Sequence, residues 1–458
     1  MPETLRPQDR PYAQCTRCVM DTSDPEISFD SQGHCNHCTA RLVLNATRPR
    51  GGARDRLEAS VALLKEAGRS SKYDCVIGVS GGADSSYCAY LAVKHGLRVL
   101  AVHMDNGWNT ALAVRNIKTL VTKLRLDYTS CVLDWEEFKD LQLAFLKASV
   151  PEIETPTDIA IPAALHRVAA EHNVRNIVAG GNVWTEGILP KAWHYDAKDV
   201  KYLKAIHDQF GTRKIRSFPT FGFQKHTYYK LVKGIRFFYV LEHVDYRSDD
   251  VRKILRDEIG WERPSGKHHE STITRFVQSY VLPVKFNIDY RRATFSSQIC
   301  AGELTRERAL QELKKPSYEP AQVEVDRRYI AKKFGISVET LDAIIAAPPK
   351  SHRDYPNDQK LLEPLYAAYR RFLSPRRHQQ PTPTMTQPAV SPQTSSPEVS
   401  GAHPELRLPD RARIRASSAE SAGGITDSAP DPSRRDSRLV ESVGGTVREE
   451  SASGKPVE

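Results

Sequence analysis

Six residues, CVIGVS (Cys75–Ser80), leave this chain few options. An unbroken apolar run of this length suits a strand buried on both faces, and such strands occur in parallel sheets covered by helices. Gly81 and Gly82 follow at once, and from Asp84 to Gly96 the apolar residues take helical spacing. The alternation then repeats. LRVLAVH (Leu97–His103), LDYTSCVL (Leu126–Leu133) and VRNIVAGG (Val174–Gly181) read as strands, and Arg54–Gly68, Asn109–Leu124, Asp134–Ser149 and Ala163–His172 as helices. Strands joined by helices predict an α/β fold with a parallel sheet and right-handed crossovers. Ligands in such sheets lie at the carboxyl ends of the strands. SGGADSS, HMDNGW and GGNVWTEG each follow such an end, so three segments are expected to meet in one crevice.

The first of these segments is built for an anion. Gly81 and Gly82 let the backbone turn tightly and approach a phosphate closely. The helix that starts near Asp84 aims its free N–H groups and its dipole at the same place. Ser80, Ser85 and Ser86 add hydroxyl donors. The bland alternative is a strand-to-helix turn with Asp84 as a helix cap. There is no GxxxxGK[ST], which excludes the lysine-bearing loop of γ-phosphoryl transfer.

A second chemistry sits near the N-terminus. CTRCVMDTSDPEISFDSQGHCNHC places Cys15, Cys18, Cys35 and Cys38 at C-x2-C-x16-C-x2-C spacing, a zinc pattern. Four thiolates make a closed tetrahedral site with no position open to substrate, hence a structural ion. An iron–sulfur cluster is the other metal reading, and His34 and His37 lie close enough in sequence to replace a thiolate. The remaining cysteines, Cys75, Cys88, Cys131 and Cys300, are scattered and read as core thiols.

Composition bounds the rest. The 458 residues carry a net charge of +10, which suggests polyanionic partners without choosing among them. No run of eighteen apolar residues occurs, so no membrane span is expected. MPETLRPQDRPY has no apolar signal core, and a cytoplasmic location is expected. After Ser374 the chain is rich in Pro, Ser, Thr and Ala and nearly lacks aromatics, so 374–458 is expected to be a disordered tail.

SGGADSS resembles the PP-loop of ATP pyrophosphatases, pattern SGGxDS, and Ser80, Gly81, Gly82, Asp84 and Ser85 match it position by position. In that superfamily the loop holds the departing pyrophosphate, attack falls on the α-phosphate, and an adenylate results. Asp84 would help hold Mg²⁺, a hard cation that takes carboxylate and phosphate oxygens. Several strings together narrow the resemblance: the Cys-rich module, SGGADSS, HMDNGW, GGNVWTEGILPKAW, GKHHESTITRFVQSYVLPVKFNIDYRRATFSSQIC and GELTRERALQEL. Over residues 12 to 320 or so the chain is similar to the N-acetyl sugar amidotransferases of surface-polysaccharide (lipopolysaccharide O-antigen) and pseudaminic or legionaminic acid biosynthesis. The resemblance implies an α/β, parallel-sheet PP-loop (adenine nucleotide alpha hydrolase-like) domain at 54–260. A four-cysteine zinc module at 12–45 would precede it, and a mostly helical C-terminal region at 261–373 would complete the active site. It implies an ATP-dependent enzyme that turns the acetamido group of a UDP-linked N-acetyl sugar into an acetamidino group through an adenylated imidate. Ammonia would come from a class I glutaminase subunit, because no glutaminase nucleophile motif occurs here.

Candidate roles follow. Ser80, Gly81, Gly82, Asp84, Ser85, Ser86, Asp105, Gly181 and Asn182 are expected to bind ATP, and Asp84 to act with Mg²⁺. GKHHESTITR supplies Lys267 for the α-phosphate oxygens, His268 or His269 to move a proton from ammonia, and Glu270 to orient that histidine or bind metal. Thr185 and Glu186 are candidates for the co-substrate, with Lys191 and His194 weaker ones. Arg291 and Arg292 could grip a diphosphate bidentately, although a surface pair is the ordinary reading. Thr305 is expected to cap a helix over Arg306–Leu313. Two rivals remain: a PP-loop tRNA-modifying enzyme, thiolase or lysidine-type synthetase, and a zinc scaffold that only senses ATP. A nucleic-acid partner is not expected, because a thiolase needs reactive cysteines and neither Cys131 nor Cys300 lies in a CxxC.

Overall fold

The computed structural model describes residues 11–46, 53–264, 266 and 269–372. Lys267, His268 and the tail 374–458 lie outside the described residues. Five parallel strands form one sheet: β1 (Cys75–Gly78), β2 (Val99–Asp105), β3 (Asp127–Val132), β4 (Asn176–Val178) and β5 (Arg236–Phe238). Their order is β3-β2-β1-β4-β5, with Cys75 beside Val99, Val76 beside Ile177, Leu100 beside Asp127 and Asn176 beside Arg236. The chain winds outward from β1 to β3, then returns to the other side of β1. A crevice opens outside the carboxyl ends at such a reversal, here between β1 and β4.

Side-chain alternation along β1 feeds two cores. Cys75 and Ile77 face helices α2 (Ala53–Gly68), α3 (Ala83–Lys94) and α4 (Ala111–Leu124) through Leu57, Leu91, Ile117 and Leu120. Helix α1 (Asn36–Ala46) belongs to the Cys-rich module. Val76 points the other way, with Leu100 and Ile177, onto Leu165 and Val168 of α6 (Thr155–Glu171). Burying each of these side chains is worth about 1.5–3 kcal/mol. A third core joins α5 (Trp135–Lys147), the Cys-rich module through Met20 and Ile27, and the C-terminal helices through Phe276, Val281, Phe286 and Phe334. The C-terminal region is mostly helical, from Thr272–Phe276 to Gln359–Phe372.

The structure differs from the sequence reading at α6 and after β4, where the helices Val200–Phe210, Phe223–Leu231 and Ser248–Ile254 and strand β5 have no sequence expectation behind them. Helix α6 starts at Thr155, eight residues before the expected Ala163, with Pro156 in its first turn and Pro162 inside. Proline is at home in a first turn, where no helical acceptor awaits its missing N–H. The sequence does not announce β5, because three residues are too short for a period-two pattern. Thr305 does cap Arg306–Leu313, accepting from the Arg308 N–H at 3.2 Å. Among the described residues, no helix is long and apolar enough to cross a membrane.

Candidate active site and metal centre

The loop after β1 is held in place by its own carbonyls and by lack of room. Gly81 has φ +83°, and a Cβ there would sit 2.6 Å from the Ala113 carbonyl oxygen of α4. Its own carbonyl accepts from Trp261 Nε1 at 2.8 Å and Asn116 Nδ2 at 3.1 Å. Asn116 is fixed in turn by the Glu262 backbone, at 2.8 and 3.0 Å. Gly82 starts α3 with no side-chain cap, so the first-turn N–H groups of that helix are left for a ligand. Ser80 and Ser85 share a hydroxyl contact of 3.1 Å beside the Gly82 N–H, whereas the Ser86 hydroxyl is fully buried without a partner. Two glycines without space for a methyl group and a free helix start form a cradle that fits a phosphate chain.

Asp84 does not cap the helix. Its Oδ1 accepts from Tyr246 Oη at 2.5 Å and Asn182 Nδ2 at 3.3 Å. Burial, followed by the Asp84 charge, pushes the Tyr246 phenol up, so it keeps its proton and donates. Asn182 is buried at the end of β4, where its N–H donates to Glu186 Oε2 at 3.2 Å. A Cβ on Gly180 would come within 3.1 Å of Ser85 N, so the β4 loop closes directly on the PP-loop. Glycine at 181 is required by the Tyr239 ring, 2.8 Å from where a Cβ would be. Thr185 and Glu186 lie in the short helix α7 (Val183–Glu186) of this loop, Thr185 buried and Glu186 exposed.

The third converging segment carries a turn. Asp105 Oδ1 accepts from Gly107 N at 2.8 Å and Asn109 Nδ2 at 3.0 Å. His103 is buried between the Val79 carbonyl (Nδ1, 2.8 Å) and Asn109 (Nε2, 3.0 Å), which ties this turn to the strand before the PP-loop. Across from the turn runs the segment that starts the C-terminal helices. Thr110 N donates to the Glu270 carbonyl at 2.8 Å and Thr272 N to the Trp108 carbonyl at 2.9 Å. The Glu270 side chain lies so close to Gly82 that a methyl group there would land on Oε1. Ser80, Gly81, Gly82, Asp84, Ser85, Gly181, Asn182 and Glu270 therefore surround one crevice.

Arg291 and Arg292 have other partners. Arg291 pairs with Asp289 (Nη2 to Oδ2, 2.7 Å) and donates to the Lys315 carbonyl at 3.0 Å. Arg292 reaches the Cys-rich module, at Asp21 (2.8 Å) and the Val19 carbonyl (3.1 Å). Both guanidiniums hold segments together, which departs from the expected diphosphate grip. Lys191 and His194 follow α7 in a 3-10 turn, with His194 Nδ1 3.0 Å from the Pro190 carbonyl.

Sequence reasoning misses Tyr246, Asn116 and Trp261. No motif surrounds them, and only the Gly81 carbonyl and the Asp84 carboxylate reveal their use.

In the Cys-rich module the four sulfurs gather within 4.8 Å of one another, with Cys15–Cys38 at 3.7 Å and Cys18–Cys35 at 3.5 Å. A tetrahedral ion at about 2.3 Å from each sulfur needs sulfurs about 3.8 Å apart, so the set fits a metal ion. Backbone N–H groups of Cys18 and Cys35 point at Cys15 Sγ, at 3.3 and 3.2 Å, which favours thiolate. His34 and His37 take Arg17 and Asp24 as partners, each at 2.5 Å, leaving the sulfurs as the donor set. The module is bolted to the C-terminal helices. Arg306 donates to the Cys15 and Cys18 carbonyls at 2.9 and 3.0 Å, and Val19 N to Ser296 Oγ at 3.2 Å.

Two family models match parts of the chain. Residues 74–167 match the queuosine biosynthesis protein QueC, and residues 270–370 match the C-terminal domain of the WbpG-like LPS biosynthesis protein. No curated protein matches the chain. Solved structures with some likeness include an NMN synthetase from Francisella tularensis (14% identity, TM-score 0.32, 63% of this chain and 98% of that one). An NH3-dependent NAD synthetase from Campylobacter jejuni covers the same shares at 15% identity and TM-score 0.28. A predicted subunit of tRNA methyltransferase from Methanocaldococcus jannaschii stands at 11% identity, TM-score 0.24, covering 40% of this chain and 75% of that one. Likeness at these values carries no argument. The QueC match, however, overturns the expectation that nucleic acid is not a partner, since queuosine is a tRNA nucleoside. The chain thus joins a PP-loop, ATP-binding domain of ligase type to a separate helical domain similar to that of an LPS biosynthesis protein.

Proposed function

We propose that the chain is an ATP-dependent ligase of amidotransferase type, which adenylates an acceptor oxygen and replaces it with nitrogen. One observation carries this reading: the Glu270 carboxylate, from the C-terminal segment, lies against Gly82 of the phosphate loop. Leaving-group and acceptor chemistry then share one crevice. The N–H groups at the start of α3 hold the pyrophosphate. Asp84, oriented by Tyr246 and Asn182, offers a carboxylate for Mg²⁺, which would neutralise phosphate charge. The acceptor oxygen attacks the α-phosphate; the new P–O bond forms as the bond to pyrophosphate breaks. Nitrogen then attacks the activated carbon, AMP leaves with the oxygen, and the surplus proton passes to Glu270 or to a histidine beside it. Lys267 and His268 keep the roles the sequence suggests, on the phosphate and on the proton. In the Cys-rich module the ion would be zinc, in a structural role.

Nitrogen is favoured over sulfur. Cys75, Cys88 and Cys131 are buried, and burial holds the Cys75 and Cys88 thiols up and pushes Cys300 up to about 12. Two acceptors are in play. The comparisons favour the tRNA-modification alternative, a lysidine-like exchange at a base oxygen, because the QueC match spans the PP-loop and the turn after β2. The second reading is a UDP-linked N-acetyl sugar converted to its acetamidino form; its support is the WbpG-like match, which begins at Glu270.

AMP release from ATP with ammonium salt decides between them. One reaction receives unmodified tRNA, the other a panel of UDP-N-acetyl sugars, and ¹⁵N-ammonium reports the product. AMP and ¹⁵N incorporation are expected in one arm only. AMP in neither arm would remove the ligase reading.

A further inference from the structure

The crossover between β4 and β5 holds much of the chain's net positive charge. Residues 200–239 contain nine Lys or Arg against a single Asp, while the whole chain has a net charge of +10. Two acids of α5 that face this insertion are turned to its backbone. Asp140 accepts from Thr212 N (2.8 Å) and Arg213 N (3.0 Å), and Glu137 from Ser217 N (2.9 Å) and Phe218 N (3.0 Å). These bonds fix the loop and leave its cations outward. Lys201 pairs with Asp358 and Arg213 with Glu136. Among the described residues Lys204, Lys214, Arg216, Lys225, Lys233 and Arg236 are exposed and make no ion pair. Like charges crowd here. Burial first, then Lys198 and Lys230, brings His226 down to about 4, and burial with Arg236 lowers Lys230.

Aromatic and aliphatic surface lies among these cations: Tyr228 is 46% exposed, Val232 70% and Tyr239 44%. Tyr239 also abuts Gly181, so the insertion ends at the rim of the crevice. Six cations without ion pairs, spread along forty residues, suit a polymer of phosphates, which is bound by neutralising many charges at once. Exposed tyrosines beside them offer planar faces on which unstacked bases can lie.

We propose that residues 200–239 form an RNA-binding surface, with the exposed cations on the phosphodiester backbone and Tyr239 receiving a base at the crevice. The proposal rests on the tRNA-modification reading and gives it a docking site.

Fluorescence polarisation with labelled bulk tRNA tests it, using the full chain between about 50 and 200 mM salt. The wild type is expected to bind, more weakly as salt rises. Lys214→Glu/Arg216→Glu and Lys233→Glu/Arg236→Glu should each weaken binding about tenfold or more and reduce the salt slope by about 1–2. Their melting temperatures should match the wild type, as the side chains are exposed and make no ion pair. No binding at the lowest salt, or equal binding by both folded double variants, overturns the proposal. So does competition by polyglutamate as strong as by tRNA, which would mark a surface for an acidic protein. The two readings fail separately: tRNA bound without any AMP release on tRNA sinks the acceptor reading alone, and AMP release on a UDP-sugar does not bear on binding.

Discussion

Asp84 shows how one residue's chemistry depends on groups far away in sequence. A carboxylate in the first turn of a helix ordinarily faces the free N–H groups there. Here Tyr246 and Asn182 pull it sideways, toward the β4 side of the crevice. A hydrogen bond to a charged acceptor is worth about 1.5–3 kcal/mol, so Tyr246→Phe should leave the fold intact and loosen Asp84. The expected result is a roughly tenfold or greater rise in the Mg²⁺ concentration needed for half-maximal AMP release, with ATP binding in the absence of metal little changed. An unchanged Mg²⁺ requirement would mean that Tyr246 only packs. Gly82 makes the complementary case. Its backbone is extended and any residue could adopt it, but a methyl group would strike the Glu270 carboxylate. Gly82→Ala should therefore cut AMP release by about a hundredfold while shifting the melting temperature by only a few degrees. The loop residues are legible in the sequence because an anion cradle needs glycines, hydroxyls and a helix start close together. Tyr246, Asn116 and Trp261 are not, because their contacts join segments distant along the chain.

At the scale of elements, the Cys-rich module belongs to the C-terminal helices as much as to itself. Arg306, Ser296 and Arg292 reach into its knuckles, and Arg41 of α1 packs on Gly187, just after α7. Removing the metal should therefore loosen the acceptor-side loop as well as the module. A chelator, or Cys35→Ser, is expected to lower the melting temperature by several degrees and to raise amide exchange in both 11–46 and 182–190. Exchange confined to the module would show that the ties carry no load. The insertion after β4 makes a pH prediction. His226 is depressed to about 4 in the folded state, mainly by burial, against an ordinary value of 6.5. The unfolded chain thus binds more protons between those values, so the contribution is present above the ordinary value and is lost as pH falls toward the depressed one. Because the ring is part exposed, about 1–2 kcal/mol is a suitable discounted figure. His226→Gln should flatten the acid limb of a melting-temperature profile over that range. This insertion also marks the limit of sequence reading for elements. β1, β2 and β4 announce themselves by apolar residues and β3 by β-branched and aromatic ones, whereas β5 is three residues of an aromatic and basic stretch, made a strand only by its pairing with β4.

For the whole molecule, the layers are legible in the sequence because most strands and helices carry their own pattern, and crossover handedness sets the side on which each helix packs; the strand order is a finding of the structure. The way the C-terminal region closes on the sheet is not legible either, since that depends on a few cross-chain contacts. Three of these surround the turn after β2. Thr110 N meets the Glu270 carbonyl, Thr272 N meets the Trp108 carbonyl, and Lys333 donates to the Gly107 carbonyl. The Lys333 ammonium also lies over Trp108 at 4.6 Å and Trp135 at 4.4 Å, where burial lowers its affinity for a proton and Asp105 partly restores it. Two ring faces and one carbonyl thus hold a cation contributed by the domain that also contributes Glu270. Lys333→Met keeps the apolar stem against the rings but loses the charge and the donor. If this tie sets the acceptor side, the variant should bind ATP within about threefold of the wild type, because the PP-loop does not touch Lys333. It should release AMP at least tenfold more slowly, because Glu270 no longer meets Gly82 in register. Isothermal titration with a non-hydrolysable ATP analogue measures the first quantity and an AMP assay the second. A parallel loss of both would instead assign the tie to the nucleotide turn, and the two domains would then act on ATP together.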